Sequence, residues 1–204
     1  MSDLPELPSR AFAKADPTSD LLFYREPRLV AHIDDGAVAA VTALYREALP
    51  PGGTVLDLMG SWISHLPPEV EYGEVIGHGM NEAELAANPR YDRWFIQDLN
   101  ADSALPLGPA NIDAATVCVA IQYLQQPVAV LDSVRRVLRP GARAVITFSN
   151  RCFPTKAVAI WQALGGEDQC RLVELYLTRA GFAEASSRRL PSRGDPVWAV
   201  IGHA

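Results

Sequence analysis

Short apolar runs alternate with amphipathic stretches along most of the chain, and the alternation predicts strands and helices in turn. Asp34 and Asp35 offer N-caps for a helix that carries Val38, Val41, Leu44 and Tyr45 on one side. Pro50-Pro51-Gly52-Gly53 ends it, and residues 54–58 follow as a short buried strand. The pattern then repeats: a strand over 74–77, a helix over 82–87, and strands over 94–97 and 114–120. Pro127 suits the first turn of a helix whose Val128, Leu131, Val134 and Leu138 fall on one face. Arg139-Pro140-Gly141 stops that helix ahead of a fifth strand over 144–148. A short helix from Pro154 through Trp161 closes at Gly165-Gly166, and another runs to about Ala180 and Gly181. Two last strands, 184–189 and 197–201, flank the turn-rich stretch from Pro191 to Pro196.

Strand–helix alternation with apolar strands implies a parallel sheet covered by helices on both faces. The final two strands are joined too closely for a crossover and must pair antiparallel. The expectation is an α/β fold with a mostly parallel seven-stranded sheet that ends in an antiparallel hairpin. Residues 1–33, broken by Pro5, Pro8, Pro17 and Pro27, read as an irregular arm or lid. Residues 34–204 read as one domain, since no repeat or long linker divides them.

Composition narrows the function classes. Hydrophobic residues make up 49% and charged residues 21%, as in an ordinary globular domain. A net charge of −6 argues against a nucleic-acid surface, which needs an excess of Lys and Arg. No apolar stretch reaches the ~20 residues that span a bilayer, so no membrane partner is expected. The acidic, proline-containing start lacks the pattern of a signal peptide, and Cys118, Cys152 and Cys170 show no C-x-x-C spacing. Both point to a reducing, cytoplasmic setting and to a small-molecule partner.

In such a sheet, ligands bind beyond the carboxyl ends of the strands, beside the first one. The segments arriving there are Val55 to Ser61, Gly77 to Asn81, Gln97 to Asn100 and Ala120 to Tyr123. Together with Leu105-Pro106 and Val137 to Gly141, their order resembles the motifs of class I S-adenosylmethionine-dependent methyltransferases, the type 11 group in particular. The resemblance spans residues 50 to 185. It implies a Rossmann-like fold, S-adenosylmethionine as cofactor, and methyl transfer to a small molecule. It also implies that Asp57, with Gly60 and Ser61, holds the amino acid end of the cofactor. Asp98 and Leu99 would take the adenine, Met80 and Asn81 would lie by the ribose, and Ala120 under the methionine portion. Each carboxylate would accept hydrogen bonds from an amino or ammonium donor. The sequence departs from the family at two places. The three glycines of the turn after the first strand are Met59, Ser61 and Ile63, and the ribose-binding acid is Gly79, with Asn81 or Glu82 as substitutes.

Several other residues carry chemistry. His65 reads either as a general base on the pocket floor or as core packing behind a helix cap, with Tyr123 and His32 as the next bases. Trp62 would line the pocket. Arg28, His32, Asn150, Arg151 and Lys156 would face the substrate, and the basic members among them point to an anionic group on it. Cys152 lacks a neighbouring base, and the four histidines lack metal-ligand spacing, so no metal is expected. Two other readings remain: a binding or scaffold protein that keeps the fold without catalysis, and a reused fold with different chemistry.

Overall fold

The computed structural model describes residues 4–204. Seven strands form one sheet: β1 (Thr54–Leu58), β2 (Glu74–Gly79), β3 (Arg93–Ile96), β4 (Ile112–Cys118), β5 (Leu138–Ser149), β6 (Glu184–Leu190) and β7 (Val197–His203). Their order across the sheet is β3-β2-β1-β4-β5-β7-β6. The pairs from β3 to β5 are parallel, and β7 is antiparallel to both β5 and β6. β1 and β4 sit in the middle and are buried almost throughout, which is why they read as continuous apolar runs rather than alternating ones.

Each face of the sheet has its own core. On one, α2 (Asp35–Ala48) and α3 (Glu82–Ala87) pack Val41, Leu44, Tyr45 and Leu85 against Val55, Val75, Ala114 and Val145. On the other, α4 (Pro127–Val137), α5 (Ala159–Ala163) and α6 (Gly166–Arg179) contribute Leu131, Val134, Trp161, Tyr176 and Leu177. Asp34 caps α2 by accepting from the Ala37 N–H at 2.8 Å, as its position predicts. β1 pairs with β2 on one side and β4 on the other, so the chain crosses over in opposite directions from it. The crevice this opens lies at the carboxyl ends of β1 and β4.

Three boundaries differ from expectation. β5 begins at Leu138, and Pro140 and Gly141 lie inside it; the register with β4 shifts between Ile112 and Ala114, and Gly141 sits at φ 79°. The irregular pairing tolerates a proline that has no N–H to donate to a ladder. Residues 154–156 form a turn, so the short helix begins at Ala159, and Gly165 caps α6 instead of closing α5. The N-terminal arm is more ordered than an irregular lid. It holds a 3-10 turn (Ser9–Phe12) and α1 (Asp20–Phe23), and it buries Leu4, Ala11 and Phe12 in the core beside α6. The first three residues of that arm lie outside the described residues. Among the described residues no helix is long and apolar enough to cross a membrane.

Candidate functional site

At the carboxyl edge of the sheet lies a cavity of about 300 Å³, framed by the ends of β1, β2, β3 and β4 and roofed by residues of the arm. It runs without interruption from Asp57, Met59 and Gly60 to Asp98 and Leu99. The sequence-derived candidates Asp57, Gly60, Ser61, Met80, Asn81, Asp98, Leu99 and Ala120 all line it, as do Arg28, His32, His65, Tyr123 and Arg151. Trp62, Asn150 and Lys156 do not.

The turn after β1 explains how the chain manages without the glycines. Met59 takes the left-handed conformation itself, at φ 58°, and its N–H donates to His78 Nδ1 at 3.0 Å. Gly60 N–H donates to the His78 carbonyl at 2.7 Å, and Ser61 is held at both ends. Its hydroxyl donates to Glu84 Oε2 at 2.5 Å, while its carbonyl accepts from Asn88 Nδ2 at 2.8 Å. Because His78 Nδ1 accepts, the proton is assigned to Nε2, which donates to the Gln97 carbonyl at 3.0 Å. This ring is 1% exposed, and burial lowers its pKa to about 4, so it stays neutral.

The missing ribose acid has the same cause. A Cβ on Gly79 would stand 2.7 Å from the Gly60 carbonyl oxygen, so the turn occupies the space a side chain would need. The two departures from the family pattern are one structural change. Neither suggested substitute fills the gap. Asn81 lines the cavity, but its Oδ1 caps α3 through Glu84 N–H and its Nδ2 donates to the carbonyls of Tyr24 and Arg25. Glu82 is exposed and does not line the cavity.

Asp57 is 4% exposed, and burial raises its pKa. Its two oxygens accept from Tyr91 Oη and Thr116 Oγ1, each at 2.8 Å. Tyr91 packs across Gly77 and Gly60, where a Cβ would meet its ring or hydroxyl at 2.3 Å and 2.1 Å. Asp98 lies two residues past the end of β3 and caps its own loop, accepting from Asn100 N–H at 2.9 Å. At the end of β4, Val119 lies at φ 52°, a strained value for a β-branched residue. Its N–H donates to the Thr147 carbonyl at 2.8 Å, and its carbonyl accepts from Gln122 Nε2 at 2.9 Å. Two strained residues, Met59 and Val119, therefore flank the crevice.

Four expectations need correction. Tyr123 does not stand as a base: its hydroxyl accepts from Phe153 N–H at 2.9 Å, and burial pushes its pKa up to about 12. It positions the loop after β5. Lys156 is fully buried beneath the arm, where it pairs with Asp16 at 3.0 Å and Asp20 at 3.4 Å and donates to the Thr18 carbonyl at 2.7 Å. It anchors the arm and reaches no substrate. Trp62 turns its indole N–H to the Val30 carbonyl at 3.1 Å, another tie to the arm. Asn150 is exposed outside the cavity.

His65 and His32 both face the cavity. Burial lowers the pKa of His65 to about 4, helped by the nearby His32, and lowers that of His32 as well. The thiol of Cys152 is raised by burial, against a nucleophilic role. Arg151 is exposed and paired with Asp195 at 2.8 Å. Among the described residues no group of three or more His, Cys, Asp and Glu could hold a metal.

Sequence reasoning missed Glu84, 7% exposed, which lines the cavity and ties Ser61 to the arm by accepting from Arg28 N–H at 2.6 Å. The signal was present: Asn81-x-x-Glu84 is the spacing of a helix capping box, which puts the acid in the first turn of a helix at the ligand edge. Here the carboxylate turns away from the cap to the turn and the arm. Tyr91, Thr116 and His78 were missed for another reason. Their partners come from other strands, and only the assembled sheet brings them together.

Residues 60–146 match the sequence family described as Methyltransferase domain. No curated protein matches the chain. Its fold is shared with solved structures of low identity. An S-adenosylmethionine-dependent methyltransferase from Mesorhizobium loti is 16% identical, with 81% of this chain and 98% of that one covered and a TM-score of 0.58. For a methyltransferase from Aquifex aeolicus the values are 17%, 90%, 96% and 0.59. The [4+2]-cyclase SpnF is 15% identical, with 90% of each chain covered and a TM-score of 0.63. The last of these carries a different chemistry on the same fold.

Proposed function

We propose that this chain is a class I S-adenosylmethionine-dependent methyltransferase, active on a small molecule bearing an acidic group. The observation that supports this reading most is the cavity itself. Despite the altered turn, it stays continuous from Asp57 to Asp98, and neither Met59 nor Trp62 blocks it. The residues present fit the cofactor in part. Asp98 and Leu99 would take the adenine, Met80 and Ala120 would line the middle, and the turn at Gly60 and Ser61 would hold the amino acid end.

When bound, S-adenosylmethionine supplies a methyl carbon on a positively charged sulfur, open to attack by a lone pair of the substrate. The chain's part is to bind, orient and exclude water, which can supply a large share of such a rate enhancement. His65 is the base we assign for a substrate that arrives protonated. Being neutral at pH 7, it is able to accept a proton, and its low pKa limits it to acidic protons. Arg28, at the cavity, supplies the positive charge for the acidic group, while Arg151 is already paired with Asp195.

Thermal melting with S-adenosylmethionine or S-adenosylhomocysteine tests the proposal. Ligand at 100 times Kd should add ~2.7 kcal/mol of stability. Asp98→Ala should abolish most of that shift while leaving the unliganded melting point close to wild type. No shift with millimolar ligand would sink the reading.

A further inference from the structure

Besides Tyr45 Oη and Asp20 Oδ1, the latter ion-paired with Lys156, the residues lining the cavity hold three polar atoms that have no hydrogen-bond partner in the protein: Arg28 Nη1, Ser64 Oγ and His65 Nδ1. All three are buried, and all three residues line the same cavity. Buried polar atoms are nearly always satisfied, so these three in the lining of one cavity call for a ligand group. The strongest of them is the guanidinium. Arg28 lies over the Phe23 ring at 4.4 Å and near Phe153 at 5.6 Å, and Nη2 donates to the Phe23 carbonyl at 2.8 Å. The plane is fixed by that packing, and Nη1 is left buried without a partner. His32 packs edge-on against the same Phe153 ring at 5.4 Å and lies close enough to influence His65 electrostatically.

We propose that Arg28, Ser64 and His65 form a carboxylate-binding subsite, completed when the arm lies over the cavity. The proposal rests on the methyltransferase reading for its biological context, and its geometry stands apart from it. A carboxylate fits because its two oxygens can accept from a guanidinium N–H, a hydroxyl and the His65 ring in the tautomer assigned its proton on Nδ1, which leaves Nε2 as the basic nitrogen. A phosphate fits poorly. It would bring about −1.5 to −2 charges at neutral pH next to Glu84, whose carboxylate already accepts from Arg28 N–H. One guanidinium and neutral imidazoles balance a single negative charge. Arg151 is excluded from the subsite by its pairing with Asp195, and Lys156 by its burial beneath the arm.

The carboxylate has two sources, the amino acid end of the cofactor or the methyl acceptor, and calorimetry on the full chain separates them. The probes are S-adenosylhomocysteine, 5′-methylthioadenosine (the same nucleoside without the amino acid), sodium benzoate and inorganic phosphate. Arg28→Met and Ser64→Ala are compared with wild type. Arg28→Met should lower affinity for a carboxylate probe by at least about tenfold, the equivalent of one charged hydrogen bond. Affinity for 5′-methylthioadenosine should not change, which also reports that the variant has folded. Ser64→Ala, which leaves the arm's contacts in place, should weaken the same probe by a smaller factor. If the loss falls on S-adenosylhomocysteine, the subsite holds the cofactor; if it falls on benzoate added to the S-adenosylhomocysteine complex, it holds the substrate. Benzoate binding that depends on Arg28, in a wild type that binds neither nucleoside, would keep the subsite and sink the cofactor reading. The subsite is overturned if Arg28→Met binds S-adenosylhomocysteine and benzoate as wild type does, or if phosphate binds more tightly than benzoate.

Discussion

His78 shows how one buried side chain can fix a site and expose the protein to acid. Its ring joins the turn after β1, through Met59 N–H, to the end of β3, through the Gln97 carbonyl. Both bonds require the neutral ring with its proton on Nε2; a second proton on Nδ1 would break the first. The folded pKa of about 4 lies below the unfolded value near 6.5, so the unfolded chain binds more protons between those pH values. Stability from this residue is therefore complete above about pH 6.5 and is lost as pH falls toward 4, by about 3 kcal/mol at the lower end. His65, with the same low value from burial, adds a loss in the same window. Urea melts at pH 7.5 and pH 4.5 should show the drop, and His78→Gln should flatten part of it. A His78→Gln variant with the full wild-type pH dependence would refute the assignment.

At the level of the elements, the contact between Gly60 and Gly79 joins the turn after β1 to the end of β2. Restoring the family acid by Gly79→Asp should harm the protein, because its Cβ would meet the Gly60 carbonyl at 2.7 Å. Gly79→Ala measures the backbone clash alone and should cost about 1–3 kcal/mol in a denaturant titration, as overpacking does. Unchanged stability in Gly79→Ala would mean that the turn moves freely. The strands, helices and final hairpin were legible in the sequence because buried parallel strands and amphipathic helices leave different periodicities. The place of Asp57, Asp98 and Ala120 at the cavity was legible because each lies in or just past the end of a strand at the ligand edge. The roles of Tyr123 and Lys156 were not. A tyrosine or lysine near a loop reads as chemistry until its partners appear, here Phe153 N–H and two aspartates. The shape of the turn was also hidden, since positive φ at Met59 depends on His78 and Glu84, residues more than fifteen positions away.

For the molecule as a whole, the arm decides whether the cavity is a pocket or an open groove. It is fastened at separate points around the carboxyl edge: Asn81 to Tyr24 and Arg25, Glu84 to Arg28, Trp62 to Val30, and Asn100 to Asp20 at 3.0 Å. Lys156 is the deepest of these fastenings, and Lys14 adds a further ion pair to Asp20. Removing one member of a buried charge cluster leaves the others uncompensated, which typically costs about 3–5 kcal/mol. Because Asp20 keeps Lys14 and Asn100, Lys156→Met should lie near the lower end, about 3 kcal/mol. Much of that loss should be local. Hydrogen exchange should speed up over residues 16–33 while the amides of β1 and β4 keep their protection. If the closed arm is needed for binding, ligand affinity falls in proportion to the fraction of molecules that keep it closed. Lys156→Met should thus weaken both nucleoside and benzoate binding without touching either ligand, whereas Arg28→Met weakens only the carboxylate. Equal protection of the arm in Lys156→Met and wild type, with unchanged affinity, would show that the other fastenings and the apolar residues Leu4, Ala11 and Phe12 hold the arm without Lys156.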